Sequence, residues 1–282
     1  MKLRLYSDLH REFDGWEIPI KDNEEDYVLV LAGDIGVARK EGTYVDFLLD
    51  AAARFKHVVY VPGNHEYYGD SFDRAWDKIK GWFDGVDNLH FLNMDMVEVE
   101  DVRILGCTLW TDMDDHSEVT MFTAGQRMND YRAINRLTET DTDDGWAYRG
   151  KLTPAHTIAT HYAHKMWLDD QLYQAERDGV RTLVVTHHGP TLRSIGYDFI
   201  GDELNGAYVT DLTQLIHDRN PTAWVHGHVH DTKLYTEAQT LVATNPKGYP
   251  YRLAWRTDSD REFENERFRT DGVIPELNEL FN

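Results

Sequence analysis

Short apolar runs alternate with amphipathic stretches along the chain, and that alternation predicts its elements. Residues 3–6, 27–31 and 57–61 are β-rich apolar runs, with an amphipathic helix over 43–55 between the last two. A helix is expected over 71–82, a strand over 89–92, and a hairpin of 97–100 with 102–107 turning at Glu100-Asp101. Pro154 opens a helix reaching to about 177, with Thr153 as N-cap and Gly179 past its end. A strand over 181–185, a helix over 209–217, a strand over 223–225 and paired strands over 232–236 and 240–243 follow. Strands alternating with helices point to an α/β fold built from parallel βαβ units. Residues 110–153 form an acidic, Asp-rich stretch with no clean period and are read as an inserted lid. No repeat or linker interrupts the chain, which predicts one domain over residues 1–282.

The predicted strands end in residues that carry chemistry: Asp8 and His10, Gly33-Asp34, Gly63-Asn64-His65-Glu66, His187-His188, and Gly227-His228-Val229-His230. In open α/β sheets the ligand crevice lies outside the carboxyl ends of the strands, so these sets converge on one rim. Residues two apart on an extended chain share a face, so Asp8 with His10, and His228 with His230, are each expected to aim at one point. A lone His-x-His is more often a surface or core pair than a ligand pair. Recurrence at strand ends makes a metal site the stronger reading. Spacing leaves open whether His187 or His188 faces the site, because a one-residue shift reverses the facing. His156, His161 and His164 lack a carboxylate or thiolate at ligand spacing and are read as ordinary helix residues, and His226 as structural.

Charge narrows the partners. With 50 acidic against 29 basic residues the formal charge is -21, and no basic stripe offsets it. Long nucleic acid is therefore disfavoured and a small partner expected. The lone Cys107 cannot form an internal disulfide, and the strand-like start leaves no room for a signal peptide, which together predict a cytoplasmic protein. No apolar run approaches the roughly 20 residues of a membrane-spanning helix. Oligomeric state leaves no signature. Imidazole and carboxylate without thiolate favour Mn, Zn or Fe, with Mg also compatible. Two such divalent ions roughly 3.5–4 Å apart clamp a phosphoryl oxygen and make hydroxide available at neutral pH. Their four positive charges exceed the two of Asp8 and Asp34, so an acidic chain keeps an electropositive centre.

Asp8-Leu9-His10, Gly33-Asp34, Gly63-Asn64-His65-Glu66, His187 and Gly227-His228-Val229-His230 resemble, in order, the five sequence blocks of the calcineurin-like metallophosphoesterases. The resemblance covers nearly the whole chain. It implies a two-sheet β-sandwich flanked by helices, in the order αββα, with a bimetal site at the strands' C-terminal ends. It further implies one metal on Asp8, His10 and His230, another on Asn64, His187 and His228, and Asp34 as the catalytic bridge. His65 is the implied non-ligand histidine, which stabilises transition-state charge and protonates the leaving oxygen.

The family's protein phosphatases carry Asp-Arg-Gly after Gly-Asp, whereas this chain reads Ile35-Gly36-Val37-Ala38-Arg39, which argues against a phosphoprotein substrate. Stretches 109–112, 128–132 and 245–249 resemble those of bacterial and phage-type members. On them Asp130, Tyr131, Arg132, Lys247 and Tyr249 are candidates for holding the non-reacting part of a substrate. The expected activity is hydrolysis of a nucleotide-type or other small phosphodiester by a metal-bound hydroxide. A phosphomonoesterase, a nuclease of the same family and a non-catalytic protein-binding scaffold are the alternatives.

Overall fold

The computed structural model describes residues 1–39, 41–138, 148–250 and 262–281. Its strands are β1 (Lys2–Tyr6), β2 (Tyr27–Ala32), β3 (His57–Val61), β4 (Leu89–Phe91), β5 (Asp95–Val99), β6 (Val102–Cys107), β7 (Asn135–Thr138), β8 (Tyr148–Lys151), β9 (Arg181–Thr186), β10 (Ala223–His226), β11 (Leu234–Glu237) and β12 (Thr240–Thr244). Strands β1-β2-β3-β4 make a parallel sheet. A second sheet has the order β11-β12-β10-β9-β6-β5, with its four central strands parallel and both edges antiparallel.

Alternation along each strand decides the layers. Leu3, Leu5, Val28, Val30, Val59 and Val61 point to one side of the first sheet, and meet Ile104, Leu183, Val185, Ala223, Val225 and Ala243 of the second. The intervening residues Tyr6, Leu29, Leu31, Val58 and Tyr60 face the other way, where the helices Glu41–Arg54 and Ala75–Gly81 cover them with Phe47, Leu48, Ala51, Trp76 and Ile79. On the far side of the second sheet, Leu105, Val184, Trp224 and Val242 pack under the helices Pro154–Asp178 and Thr213–Arg219, with Leu168, Leu172, Leu215 and Ile216. Strands apolar on both faces require a layer on each side, and the result is the four-layer αββα sandwich expected.

The long helix ends as predicted. His156 accepts from the Thr153 N–H at 3.1 Å, Pro154 occupies the first turn, and Gly179 closes the helix in the left-handed region. The helix expected from 209 starts only at Thr213, because Val209 is extended and bridges Gly189. The one expected from 71 starts at Ala75, where Ser71 instead bridges Asn135.

The stretch 110–153 is not irregular among its described residues. It holds a helix at Glu118–Arg127, a one-turn helix at Asp130–Ala133 and the β7-β8 hairpin. Trp110, Met113, Ala124, Tyr131, Ile134 and Leu152 join the core that covers the first sheet. Its polar periodicity hid this because only a few residues per short element are buried. Residues 139–147 of the expected lid lie outside the described residues. No helix of the described residues is long and apolar enough to cross a membrane.

Every parallel strand points its carboxyl end at one rim. Backbone bonds stitch the loops there: Asp8 donates to Gly33 at 3.0 Å, His10 to Asp34 at 3.0 Å, Gly227 to His187 at 3.0 Å and Gly248 to Asp8 at 3.0 Å.

Candidate metal centre

The residues at this rim sit just past the strands, not on them. Asp8, His10, Asp34, His228 and His230 all have positive φ, between 47° and 69°. The expectation of extended two-residue spacing is therefore corrected. A strand would point His228 and His230 to one place, whereas left-handed turns send them to different clusters. Asp and His tolerate this region better than most residues, at a cost of about 1–3 kcal/mol each that surrounding bonds must offset. Both oxygens of Asp8 accept from the His228 N–H at 3.0 Å, and Asp34 Oδ1 accepts from the His65 N–H at 2.8 Å.

Glu66 is the fastener. Fully buried, its carboxylate accepts from the N–H groups of Asp34 (3.0 Å), Ile35 (2.8 Å), Gly36 (3.3 Å) and Gly63 (2.6 Å), and from the Tyr60 hydroxyl (2.6 Å). One side chain thus fixes the loops after β2 and β3 to each other. Close approach explains Gly227 as well, since a Cβ there would stand 2.6 Å from Asp8 Oδ2.

Three donor groups result among the described residues: Asp8, His10 and His230 at one end, Asp34, His187 and His228 at the other, and His10, Asp34 and His65 joining them, each with its candidate atoms within 4.8 Å of one another. Two atoms that each bind one ion at about 2.1 Å, at angles between octahedral and tetrahedral, are themselves roughly 3.0–3.4 Å apart. The structure has His10 Nε2 at 3.1 Å from His230 Nε2, His230 Nε2 at 3.3 Å from Asp8 Oδ1, and His187 Nε2 at 3.4 Å from Asp34 Oδ1. Neither ring nitrogen of His228 has a hydrogen-bond partner among the described residues, and its Nε2 is buried. A buried imidazole left this way costs stability unless a ligand meets it. The residues fit a divalent cation.

Protonation agrees at Asp34, His228 and His10. Burial raises Asp34, but the charges of His187 and His65 outweigh it and hold the carboxyl well below the usual carboxylate range. Burial, reinforced by His188 and His187, pushes His228 well below an ordinary histidine, and burial also lowers His10. Burial also pushes His187 and His230 down, but Asp34 and Glu264 outweigh it and hold His187 up at about 9 and His230 well above an ordinary histidine, so a cation binding there displaces a proton from each ring.

Outer partners aim the rings. His187 Nδ1 donates to the Ala32 carbonyl at 2.9 Å, His230 Nδ1 lies 2.6 Å from Glu264 Oε2, and His10 Nδ1 lies 3.3 Å from Glu12 Oε1, which leaves each Nε2 for the centre. Asn64 gives its Nδ2 to Asp130 Oδ1 at 2.8 Å, and so turns its Oδ1 to within 3.0 Å of His187 Nε2. His188 points away, with Nδ1 at 3.2 Å from the Thr108 carbonyl. Of the pair left open by spacing, His187 is the one in the cluster.

His65 stands between the clusters. Its Nε2 is 3.9 Å from Asp34 Oδ2, and its Nδ1 is 2.7 Å from Glu12 Oε1. Burial pushes the imidazolium down, but Asp34 and Glu12 more than offset it and hold it up at about 9. Three tyrosines wall the centre, each stacked on one histidine: Tyr68 on His65 at 4.2 Å, Tyr249 on His10 at 4.3 Å and Tyr208 on His228 at 4.7 Å.

The candidate substrate contacts divide. Tyr249 is at the centre, with its hydroxyl 3.4 Å from His65 Nε2. Asp130 is buried behind Asn64 and also accepts from the Tyr68 hydroxyl at 2.5 Å, so it orients those residues and does not face a substrate. Tyr131 packs in the core with its hydroxyl 3.2 Å from Thr157. Arg132 turns back to the Gln126 carbonyl, and Lys247 is fully buried in an ion pair with Asp14 at 2.9 Å. For Asp130, Tyr131, Arg132 and Lys247 the sequence expectation is corrected, because loop position in a sequence does not reveal which way a side chain turns. His226 is structural as expected, bonded to Ser194 at 2.8 Å. Glu12, Tyr68, Tyr208 and Glu264 went unnoticed in the sequence. Only Glu12, two residues after His10, carried a positional hint.

A family model for calcineurin-like phosphoesterases matches residues 1–232. An uncharacterised protein of Acanthamoeba polyphaga mimivirus is 28% identical over 272 residues, covering 88% of this chain and 91% of its own. The crystal structure of the phosphopantetheinyl hydrolase of Mycobacterium tuberculosis shares the fold at a TM-score of 0.64 and 17% identity, over 90% of this chain and 93% of that one. With the donor clusters at the strand ends, the family match makes this chain a member of the calcineurin-like phosphoesterases, a metal-dependent phosphoric ester hydrolase.

Proposed function

We propose that the chain, as one domain, is a dinuclear phosphodiesterase for a nucleotide-type or other small ester. One divalent cation is held by Asp8, His10 and His230, the other by Asn64, His187 and His228, and Asp34 is shared. The observation that carries this is the pair of donor clusters with ligand-to-ligand spacings of 3.1–3.4 Å and Asp34 beside His10, His65 and His187. When bound, such cations polarise the phosphoryl oxygen and lower the pKa of a water.

The chain's own residues supply the rest. His65, held through Nδ1 by Glu12, presents Nε2 beside Asp34 and the Tyr249 hydroxyl, and there it gives its proton to the leaving oxygen. With cations bound, Asp34's charge is largely neutralised, and Glu12 is the partner that continues to favour the imidazolium. The rings of Tyr68, Tyr208 and Tyr249 offer faces to a planar leaving group. The net charge of -21 keeps long polyanions away while the centre stays electropositive.

Equilibrium dialysis against Mn or Zn with elemental analysis tests the reading. Wild type should hold two ions per chain, and His230→Ala and His228→Ala one each. A single ion in wild type overturns the dinuclear assignment.

A further inference from the structure

Beside the centre lies an open cleft of about 520 Å³, lined by Val37, Arg39, Tyr68, Gly69 and Ala133. Tyr68 is its common wall with the centre, since the same ring stacks on His65 at 4.2 Å. The cleft and His65 thus share one side chain as neighbour. His65 faces the leaving group in the reading above, so the cleft flanks the alcohol side of the ester.

Arg39 sets the chemistry of this cleft. Arg39 pairs with no carboxylate among the described residues, as is true of Arg74, Arg127 and Arg177, and of these four it is the one that lines the cleft. Its side chain lies over the backbone of Gly69. A Cβ at that position would stand 3.0 Å from Arg39 Cδ and 3.2 Å from Nη1, and Gly69 has a φ of 78°. The Gly69 N–H is itself tied to the Ala133 carbonyl at 2.9 Å, so the floor beneath the guanidinium is fixed. Val37 and Ala133 supply apolar surface at the same cleft.

We propose that this cleft is a second anion subsite: Arg39 binds an anionic group on the alcohol portion of the substrate, several bonds from the reacting phosphorus. The substrate class is then a phosphoester whose leaving alcohol carries a second phosphate or a carboxylate. A guanidinium fork suits either, and Arg39 offers one at the wall of a cleft that shares Tyr68 with the centre. The proposal rests on the phosphoesterase reading for which side of the ester faces the cleft.

The test uses the metal-loaded full chain with adenosine 5′-monophosphate and adenosine 3′,5′-bisphosphate. Each is measured by calorimetry and as an inhibitor of bis-p-nitrophenyl phosphate hydrolysis. Wild type should bind the bisphosphate about tenfold more tightly than the monophosphate, the scale of one charge-assisted hydrogen-bonded contact. Arg39→Ala should bring that ratio to about one. Gly69→Ala, which displaces the guanidinium without removing its charge, should also lower it. Circular dichroism melting checks that both variants are folded. A ratio near one in wild type, or a ratio unchanged in Arg39→Ala, overturns the subsite. An Arg39-dependent ratio without ester turnover supports the subsite and contradicts the hydrolase reading. Turnover with an Arg39-independent ratio does the reverse.

Discussion

His65 Nδ1 lies 2.7 Å from Glu12 Oε1, and that same oxygen lies 3.3 Å from His10 Nδ1, so one carboxylate orients both the proposed proton donor and a metal-ligand candidate. Burial raises Glu12, but the bonds from His10 and His65 dominate and hold it down at about 2. It is thus an anion throughout the working range. Glu12→Gln should lower kcat by about 10–100-fold, and more for esters with alkyl leaving groups than for p-nitrophenyl esters, whose leaving group needs little protonation. Rates across a series of leaving groups, with metal content measured in parallel, check this. An equal loss for every leaving group would remove His65 protonation from the account.

Glu264 reaches the centre from beyond the matched residues 1–232, holding His230 Nδ1 at 2.6 Å and accepting from the Tyr249 N–H at 3.1 Å. Burial raises its pKa, while the charge of His230 lowers it further than that, so it stays ionised. Glu264→Gln keeps the shape and loses the charge. Metal affinity should fall by about 10–100-fold, read by competition with a chromogenic chelator. Unchanged affinity would mean that His230 is oriented by packing alone.

Glu66 makes five hydrogen bonds that join the loops after β2 and β3. A glutamine there turns an amide N–H₂ toward backbone N–H donors, leaving at least one buried donor unmatched. Glu66→Gln should cost about 1–3 kcal/mol in urea unfolding of the metal-free protein, with metal affinity falling as well. A variant as stable as wild type would show that the loops hold themselves.

Acid should destabilise the fold through histidines that are buried neutral. Burial, with His161 nearby, pushes His164 down to about 3, and burial lowers His226 to about 4. Between those values and the unfolded pKa near 6.5, the unfolded chain binds the proton and the folded chain does not. Stability is therefore lost as pH falls below 6.5, by up to about 1.4 kcal/mol per pH unit for each histidine. His164 Nδ1 accepts from the Leu109 N–H at 3.1 Å, an acceptor that asparagine can replace. His164→Asn should flatten the stability profile between pH 6 and 4 by roughly one proton's slope. An unaltered slope would contradict the assignment.

What the sequence disclosed follows the physics of each feature. Continuous apolar runs such as residues 27–31 and 57–61 mark buried strands because both faces must be covered, and the four layers follow. The ligand candidates were legible because Asp8, Asp34, Asn64, His187 and His228 stand directly after such runs. The left-handed turns at Asp8, Asp34 and His228 were not, since Asp and His permit positive φ without announcing it. Glu264 and Tyr208 are distant in sequence from the histidines they support, and only the packed fold brings them together. The helix Glu118–Arg127 stayed hidden because it buries little beyond Thr120 and Ala124. His161 and His164, read as ordinary, in fact clamp the backbone of Leu109, at 3.3 and 3.1 Å, where the chain takes a φ of 73°.

Hydrolysis of bis-p-nitrophenyl phosphate by wild type and Asp34→Asn, after chelation and with Mn, Zn, Fe or Mg restored, addresses the centre itself. Turnover that vanishes on chelation, returns with metal and falls by at least about 10²–10³-fold in Asp34→Asn is the predicted result. Turnover that survives chelation, or that is equal in the two proteins, would contradict a phosphoesterase centre built around Asp34.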